Sequence, residues 1–322
     1  MRLHAWLLSL TILAGTAAST MAAEPQKLTL LTFNMWGAGA NASKSIEETV
    51  AVMKASGADI IGAQETVPEP DPCTAEVCLA TDKSRAAAIA AALGFHYHEF
   101  KHNTANHWAD VVFSRYPIGK ETPNGTGVEI DVNGRKVVAY SMNLDDAPYQ
   151  PYQLLGIEYD KSPFIKTAGE AVKWASDTRG KALALLVADI KAEAEADAQF
   201  VMGDFNEPSH WDWTARAVAA GNQPLVVEWP TTKGVEAAGF IDTFRTVFPD
   251  EVAKPGITWT PTTEATAKDD HHDRIDFILA RGKDLKSALR RDRRREGAGG
   301  RSGGDPLALR PPRLDGGGVV LS

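Results

Sequence analysis

The stretch VMGDFNEP, Val201–Pro208, decides how this chain is read. Together with the preceding Gln199 and Phe200 it forms an apolar run that predicts a strand buried on both faces, and that run ends on two polar side chains, Asp204 and Asn206. The same ending recurs along the chain. Asn34 closes LTLLTFN, Glu65 closes DIIGAQE, and Asp276 lies within DRIDFIL. Any one of these residues would serve as a turn or cap residue. Four strand ends of this kind point instead to one shared crevice, because open α/β sheets place ligands outside their strand ends.

The remaining apolar runs fill in the frame. KLTLLTFNMW, DIIGAQE, ADVVFSRYP, KVVAYSMNL, QFVMGDFN and RIDFILA read as strands. SIEETVAVMKASG, SRAAAIAAALG and KTAGEAVKWASDTRGKALALLVADIKAEAEA read as amphipathic helices with Ser or Thr starts or Gly stops. Asn133-Gly134 supplies the positive φ angles of a tight turn, so VEIDVNGRKVVAYSM reads as a hairpin. Strands alternating with helices give an α/β class, sheets covered by helices. No internal repeat is evident.

The chain has 322 residues, 43% of them hydrophobic, enough for one large core or two smaller ones. Residues 1–23 have a short basic start, an apolar run from Ala5 to Ala14 and small residues before a cut near Ala22 or Ala23, the pattern of a secretory signal. That apolar run falls short of the roughly 20 residues that span a bilayer, and no later segment approaches this length. A secreted or periplasmic destination gives Cys73 and Cys78 an oxidising setting, so a local disulfide is expected between them. The last segment differs in composition. From Arg281 to Ser322 there are eleven Lys plus Arg and five Asp plus Glu, a net of +6, which leaves −14 for the first 280 residues of a chain whose total is −8. Residues 24–286 are therefore taken as the folded domain and 287–322 as a Gly-, Arg- and Pro-rich basic tail without strand alternation.

The strand-end set is rich in oxygen and almost free of sulfur. It suits a hard cation, Mg²⁺ or Mn²⁺, better than zinc. Glu65 would hold the metal with Asn34 beside it; Asp204 would orient or deprotonate a water, and Asn206 would supply an amide.

TFNMW, IIGAQE, VVFSRYPI, VMGDFNEP, GITWTP and DRIDFIL, in this order, resemble the endonuclease/exonuclease/phosphatase superfamily from about Lys27 to Ala280. The resemblance implies a four-layer sandwich of two packed mixed β-sheets flanked by helices, and divalent-metal-dependent hydrolysis of a phosphoester. Carried over by position, Glu65 is the metal ligand with Asn34 in the metal shell. Asp204 positions the nucleophilic water, Asn206 donates to the phosphate, and Asp276 supports the site, oriented by Arg274. Two departures stand out. Asn143, in YSMNLDD, occupies a place where family members often have His; an amide there can donate to a phosphate oxygen but cannot carry a proton. The Ser-Asp-His block that normally closes the family is also missing after DRIDFILARGKDLKSA.

The genetic code offers a reason for the second departure. The peptide from Leu307 to Leu314 can be encoded by CTG GCC CTC CGA CCA CCG CGC CTC, and reading one base later gives Trp-Pro-Ser-Asp-His-Arg-Ala. A frameshift near Ser287 to Arg291 is the expectation, leaving a domain without its last strand and 287–322 out of frame and disordered.

Other polar and aromatic residues are candidates for substrate contact. His272 and its neighbour His271 precede the Arg-Ile-Asp-Phe run, and His107, with His102 and Trp108, precedes ADVVFSRYP; both groups stand where a pocket mouth would form. LDDAPYQPYQLLGIEY is a lid candidate whose aromatics would stack on substrate or pin the loop, and Trp211 and Trp213 are expected to pack beside the Gly-Asp-Phe-Asn turn. The acidity of the first 280 residues, without a Lys/Arg cluster, favours a small phosphoester over a DNA backbone, which needs a basic groove. A secreted nuclease, or a phosphoryl-binding relic inactivated by loss of the Ser-Asp-His block, remain the alternatives. A monomer without a stable protein partner is expected.

Overall fold

The structure is a computed structural model and describes residues 26–68, 84–101, 104–259, 263–264, 266–282, 285–289 and 317–321. The leader, Cys73, Cys78 and His102 lie outside the described residues. Among the described residues twelve strands form two sheets of six. The first contains β1 (Gln26–Asn34), β2 (Ile60–Gln64), β3 (His96–Glu99), β4 (Val111–Ser114), β11 (Leu285–Leu289) and β12 (Gly317–Leu321), in the order β11-β12-β1-β2-β4-β3. The second contains β5 (Ile118–Glu121), β6 (Gly127–Val132), β7 (Arg135–Asn143), β8 (Ala198–Asp204), β9 (Ile241–Asp242) and β10 (Asp276–Gly282), in the order β5-β6-β7-β8-β10-β9. Each sheet is antiparallel except for one central parallel pair, β1 with β2 and β7 with β8.

The period of two along each strand divides its side chains between two cores. Leu28, Leu30, Ile60 and Val112 of the first sheet meet Val137, Ala139, Phe200, Met202, Ile278 and Ala280 of the second in the inter-sheet layer. Their alternate neighbours face outward. Leu31, Ile61, Val111 and Phe113 pack under α1 (Ile46–Ser56) and α2 (Ala86–Leu93). Val138, Tyr140, Val201, Phe277 and Leu279 pack with Ala182, Leu186 and Val235, from the long helix Ala168–Ala192 and the helix Pro230–Ala237. Helix, sheet, sheet, helix is the four-layer order, and double-sided burial is why the strands read as continuous apolar runs.

Local chemistry sets the boundaries. Helix α1 starts at a Ser45–Glu48 capping box and stops at Gly57, φ 65°. A Thr167–Glu170 capping box starts the long helix. The β6–β7 hairpin turns through Asn133 and Gly134, φ 56° and 83°. Between the sheets, Gly62 admits close approach: a Cβ there would stand 2.9 Å from Met202 Cβ.

Within 287–322, read from the sequence as a basic tail without strand alternation, the described residues at both ends are strands. Ser287–Leu289 belongs to β11, and Gly317–Leu321 forms β12 antiparallel to β1, pairing Gln26 with Leu321 and Thr29 with Gly318. The gain is backbone hydrogen bonding for an otherwise open sheet edge, which two glycines, two valines and a leucine can supply without any apolar alternation.

Candidate active site

The side chains at the ends of β1, β7 and β8 share the register of the inter-sheet core. Asn34 continues the series Leu28, Leu30; Asn143 continues Val137, Ala139; Asp204 continues Phe200, Met202; and Asp276 begins the series Ile278, Ala280. The pairing places Asn143, Asp204 and Asp276 side by side across β7, β8 and β10, and sets Asn34 opposite Gln64. The core periodicity thus continues past the last apolar residue with polar ones, at one edge where both sheets meet. A cross-sheet hydrogen bond from Gln64 Nε2 to Ser141 Oγ, 3.0 Å, lies one layer beneath.

Asn34 joins the two halves. Its Nδ2 donates to Glu65 Oε1 at 2.7 Å and to Asp204 Oδ2 at 3.1 Å, while its Oδ1 accepts from the Trp36 backbone N–H at 2.9 Å. Asp204 Oδ1 accepts from the backbone N–H of Asn206 at 2.9 Å. Asn206 gives one amide hydrogen to the Leu144 carbonyl at 2.9 Å, and Asn143 contacts the Trp108 carbonyl at 3.4 Å; an amide has two such hydrogens, so each retains a second. Glu65 and Asn206 are left-handed, φ 59° and 47°, and the turn Met35–Ala38 is clamped onto the first by hydrogen bonds from Met35 N to Gln64 O and from Ala38 N to Glu65 O. Gly203, φ 154°, brings β8 so close to β7 that a Cβ would lie 2.1 Å from the Met142 carbonyl oxygen. No other residue fits there.

Burial raises the Asp204 carboxyl to about 6, against opposing hydrogen bonds from Asn34 and Asn206 N–H. Burial likewise holds Asp276 well above the usual carboxylate range, with the charges of Asp204 and Glu65 adding to the effect and Thr258 opposing it. Three acids, Asp204 buried and Glu65 and Asp276 half-buried, crowd one edge, which is the electrostatic situation that a cation relieves. Among the described residues no three His, Cys, Asp or Glu side chains form a ready-made metal cage. The donor set fits Mg²⁺ nonetheless, because that ion is usually held by one or two carboxylates and completes its shell with waters and substrate oxygens.

Several residues assigned to substrate by sequence are structural. His107 is buried: Nε2 faces the Gly125 carbonyl at 3.0 Å, Nδ1 faces Asp110 Oδ2 at 2.9 Å, and the ring stacks on Phe100. Arg274 does not orient Asp276. It is buried between Asp212, 2.9 Å from Nε, and Asp242, 2.7 Å from Nη2. His272 Nε2 contacts Thr263 Oγ1 at 2.6 Å, and His271 Nε2 contacts Gln223 at 2.7 Å. In the lid candidate, Tyr149 and Tyr152 are buried in a short helix, Gln150–Leu155, or at its cap; their hydroxyls donate to Asp273 and Asp270, so they pin the loop. Trp213 is buried, its Nε1 donating to Asp273 at 2.9 Å, whereas Trp211 is exposed.

The sequence reading missed Arg179. It reaches from the long helix under the loop that follows β7, donating from Nη1 to Gln150 Oε1 at 2.7 Å, contacting the Pro148 carbonyl at 3.4 Å and standing 3.8 Å from buried Glu207. Its charge opposes the rise of the Asp204 carboxyl. The signal was available, since Arg179 lies on the buried stripe Ala171, Ala175, Ala182, Leu186.

An α/β sandwich with carboxylates and amides gathered where its two sheets share an edge defines a class of phosphoester hydrolases. Residues 31–297 match the Endonuclease/Exonuclease/phosphatase family, and the chain belongs to it. An uncharacterised protein of Caenorhabditis elegans is 28% identical over 270 residues, 82% of each chain. The fold is that of a solved 3'-5' exonuclease from Neisseria meningitidis, with TM-score 0.50 and 16% identity over 92% of this chain and 99% of that one. A Neisseria 3' phosphatase structure bound to a product DNA hairpin matches with the same score and identity, over 92% and 98%.

Proposed function

We propose that this chain is a secreted or periplasmic hydrolase of small phosphoesters that works with Mg²⁺ or Mn²⁺. The observation that carries the reading is the meeting of Glu65 and Asp204 on the two amide hydrogens of Asn34, at 2.7 and 3.1 Å. Residues from two sheets and 170 positions apart converge there.

A divalent cation held by Glu65, with the Asn34 amide beside it, would supply positive charge to the phosphoryl oxygens. The chain supplies the rest. Asp204, with one oxygen fixed by Asn34 and the other by Asn206 N–H, is oriented to accept a proton from an attacking water, and a carboxyl raised to about 6 is a better base than an exposed one. Asn143 and Asn206 each keep an amide hydrogen for the phosphate oxygens on which charge develops. Asp276, whose carboxyl is pushed up by burial and by its anionic neighbours, supports the floor of the site.

The absence of a Lys/Arg cluster from an acidic domain supports a small substrate over a nucleic-acid backbone, and a monomer suffices for the site. The missing Ser-Asp-His block supports the frameshift reading. On that reading the gene product restored to frame turns over phosphoesters about 10²–10⁴-fold faster than the chain as written. The test is a screen of both forms against nucleotides, inositol phosphates, lipid headgroup esters and DNA, with Mg²⁺ and with EDTA. Metal-dependent turnover of small esters supports the proposal; exclusive turnover of DNA overturns the substrate class, and no turnover in either form overturns the enzyme.

A further inference from the structure

We infer that Trp36 is the residue that selects the substrate, its indole packing against a flat aromatic group on the organic side of the phosphoester. The inference rests on the phosphoester reading for the charged end of the ligand and adds the character of the other end.

Trp36 stands two residues beyond Asn34, on the turn clamped to the Glu65 backbone. Its neighbours on that turn, Met35 and Ala38, are 3% and 0% exposed, whereas Trp36 is 52% exposed. Its φ is 45°, the left-handed region that suits glycine and penalises a bulky side chain. A tryptophan normally repays its bulk by burial. Here about half of the indole stays in solvent while the backbone conformation costs it energy, so burial repays this residue far less than a core tryptophan. Strain retained at such a position indicates function.

The other exposed tryptophans have structural attachments. Trp211 Nε1 donates to Glu236 at 2.7 Å, and Trp259 Nε1 donates to the Tyr152 hydroxyl at 3.1 Å. Among the described residues the indole N–H of Trp36 has no such bond. Its place fixes what it would touch: the turn that carries the ring also carries, through Asn34, the hydrogen bonds to Glu65 and Asp204. An ester whose phosphate lies on those groups extends its organic part over the same rim. Face or edge packing of an aromatic group on indole is favourable beyond simple area burial, which a methyl group cannot match.

The test compares diphenyl phosphate with dimethyl phosphate, equal in charge, as ligands in calorimetry with Mg²⁺, and follows turnover of methyl 4-nitrophenyl phosphate alongside. Wild type is expected to bind the diphenyl ester about tenfold more tightly, Trp36→Gly to lose that preference while still unfolding in one cooperative transition, and Trp36→Phe to recover most of it. Preference retained in Trp36→Gly overturns the inference, whether or not the ester is hydrolysed. Preference lost in Trp36→Gly with no turnover in any form upholds the aromatic subsite and rejects the hydrolase. No preference in wild type overturns the subsite, and turnover then decides the hydrolase separately.

Discussion

The two sheets meet the site with the same device and different support. Each contributes the C-terminal end of its one parallel pair, β1 with β2 and β7 with β8. The first sheet delivers Asn34 and Glu65 from the ends of β1 and β2, where the left-handed turn residues Trp36 and Ala38 are clamped onto a left-handed Glu65. The second delivers Asn143 and Asp204, and the charges of two buried polar pairs act on or feel Asp204: Arg179 with Glu207, and His107 with Asp110. The difference suggests a division of labour. The half-open first edge suits ligands that come and go, whereas the buried second edge suits a proton acceptor, because removing water is what raises the Asp204 carboxyl.

The largest effect should come from the buried half. Asp204→Asn keeps the side chain's size and removes the base, while its single amide oxygen can satisfy only one of the two donors, Asn34 and Asn206 N–H, so kcat is expected to fall about 10²–10⁴-fold with KM changed much less, by steady-state kinetics. A comparable rise in KM would show that Asp204 binds rather than reacts. Next comes the support. Arg179→Met leaves Glu207 buried without its cation and Gln150 Oε1 without its donor, and should cost about 3 kcal/mol or more in urea denaturation. A loss near zero would mean that the loop after β7 holds itself.

The smallest effect concerns His107 and Asp110. Since His107 Nε2 faces only a carbonyl, that nitrogen carries hydrogen, and the contact between Nδ1 and Asp110 Oδ2 holds one shared proton. Burial lowers His107 to about 4 and raises Asp110 well above the carboxylate range, with the nearby Asp204 charge adding to the second. An unfolded His and Asp together also carry one proton between pH values of about 4 and 6.5, but none above. The pair is therefore neutral to stability in that window. Above about 6.5 the folded state alone keeps the proton, so stability should fall by roughly 1.4 kcal/mol per pH unit until the pair releases it. Asp110→Asn, which can donate to Nδ1 without titrating, should flatten that slope in denaturation series from pH 6 to 9. An unchanged slope would assign it to another group.

The double-sided apolar runs made six strands and the site register legible in the sequence, because polar residues at their ends continue the same alternation. Strand β3, HYHE, was not legible: its residues are exposed or half-buried and show no apolar face. Strand β12 was hidden for another reason, as its glycines carry no pattern and its pairing with β1 is backbone bonding to residues almost 300 positions away. The polar support was misread in one consistent direction. His107 and Arg274 have the chemistry of ligand contacts, and only burial beside Asp110, Asp212 and Asp242 shows that they brace the fold. Long-range partners of that kind leave no local trace, whereas Arg179 did leave one as a charge on an apolar helical stripe.

The central claim is that one sheet edge holds the cation and the other moves the proton. Hydrolysis of methyl 4-nitrophenyl phosphate, titrated with Mg²⁺ in wild type, Glu65→Gln and Asp204→Asn, tests it most directly. The account predicts that Glu65→Gln raises the Mg²⁺ needed for half-maximal rate by about tenfold or more, while Asp204→Asn lowers the rate at saturating Mg²⁺ without shifting that midpoint. Equal midpoints in all three proteins, or a midpoint shifted by Asp204→Asn alone, would contradict it.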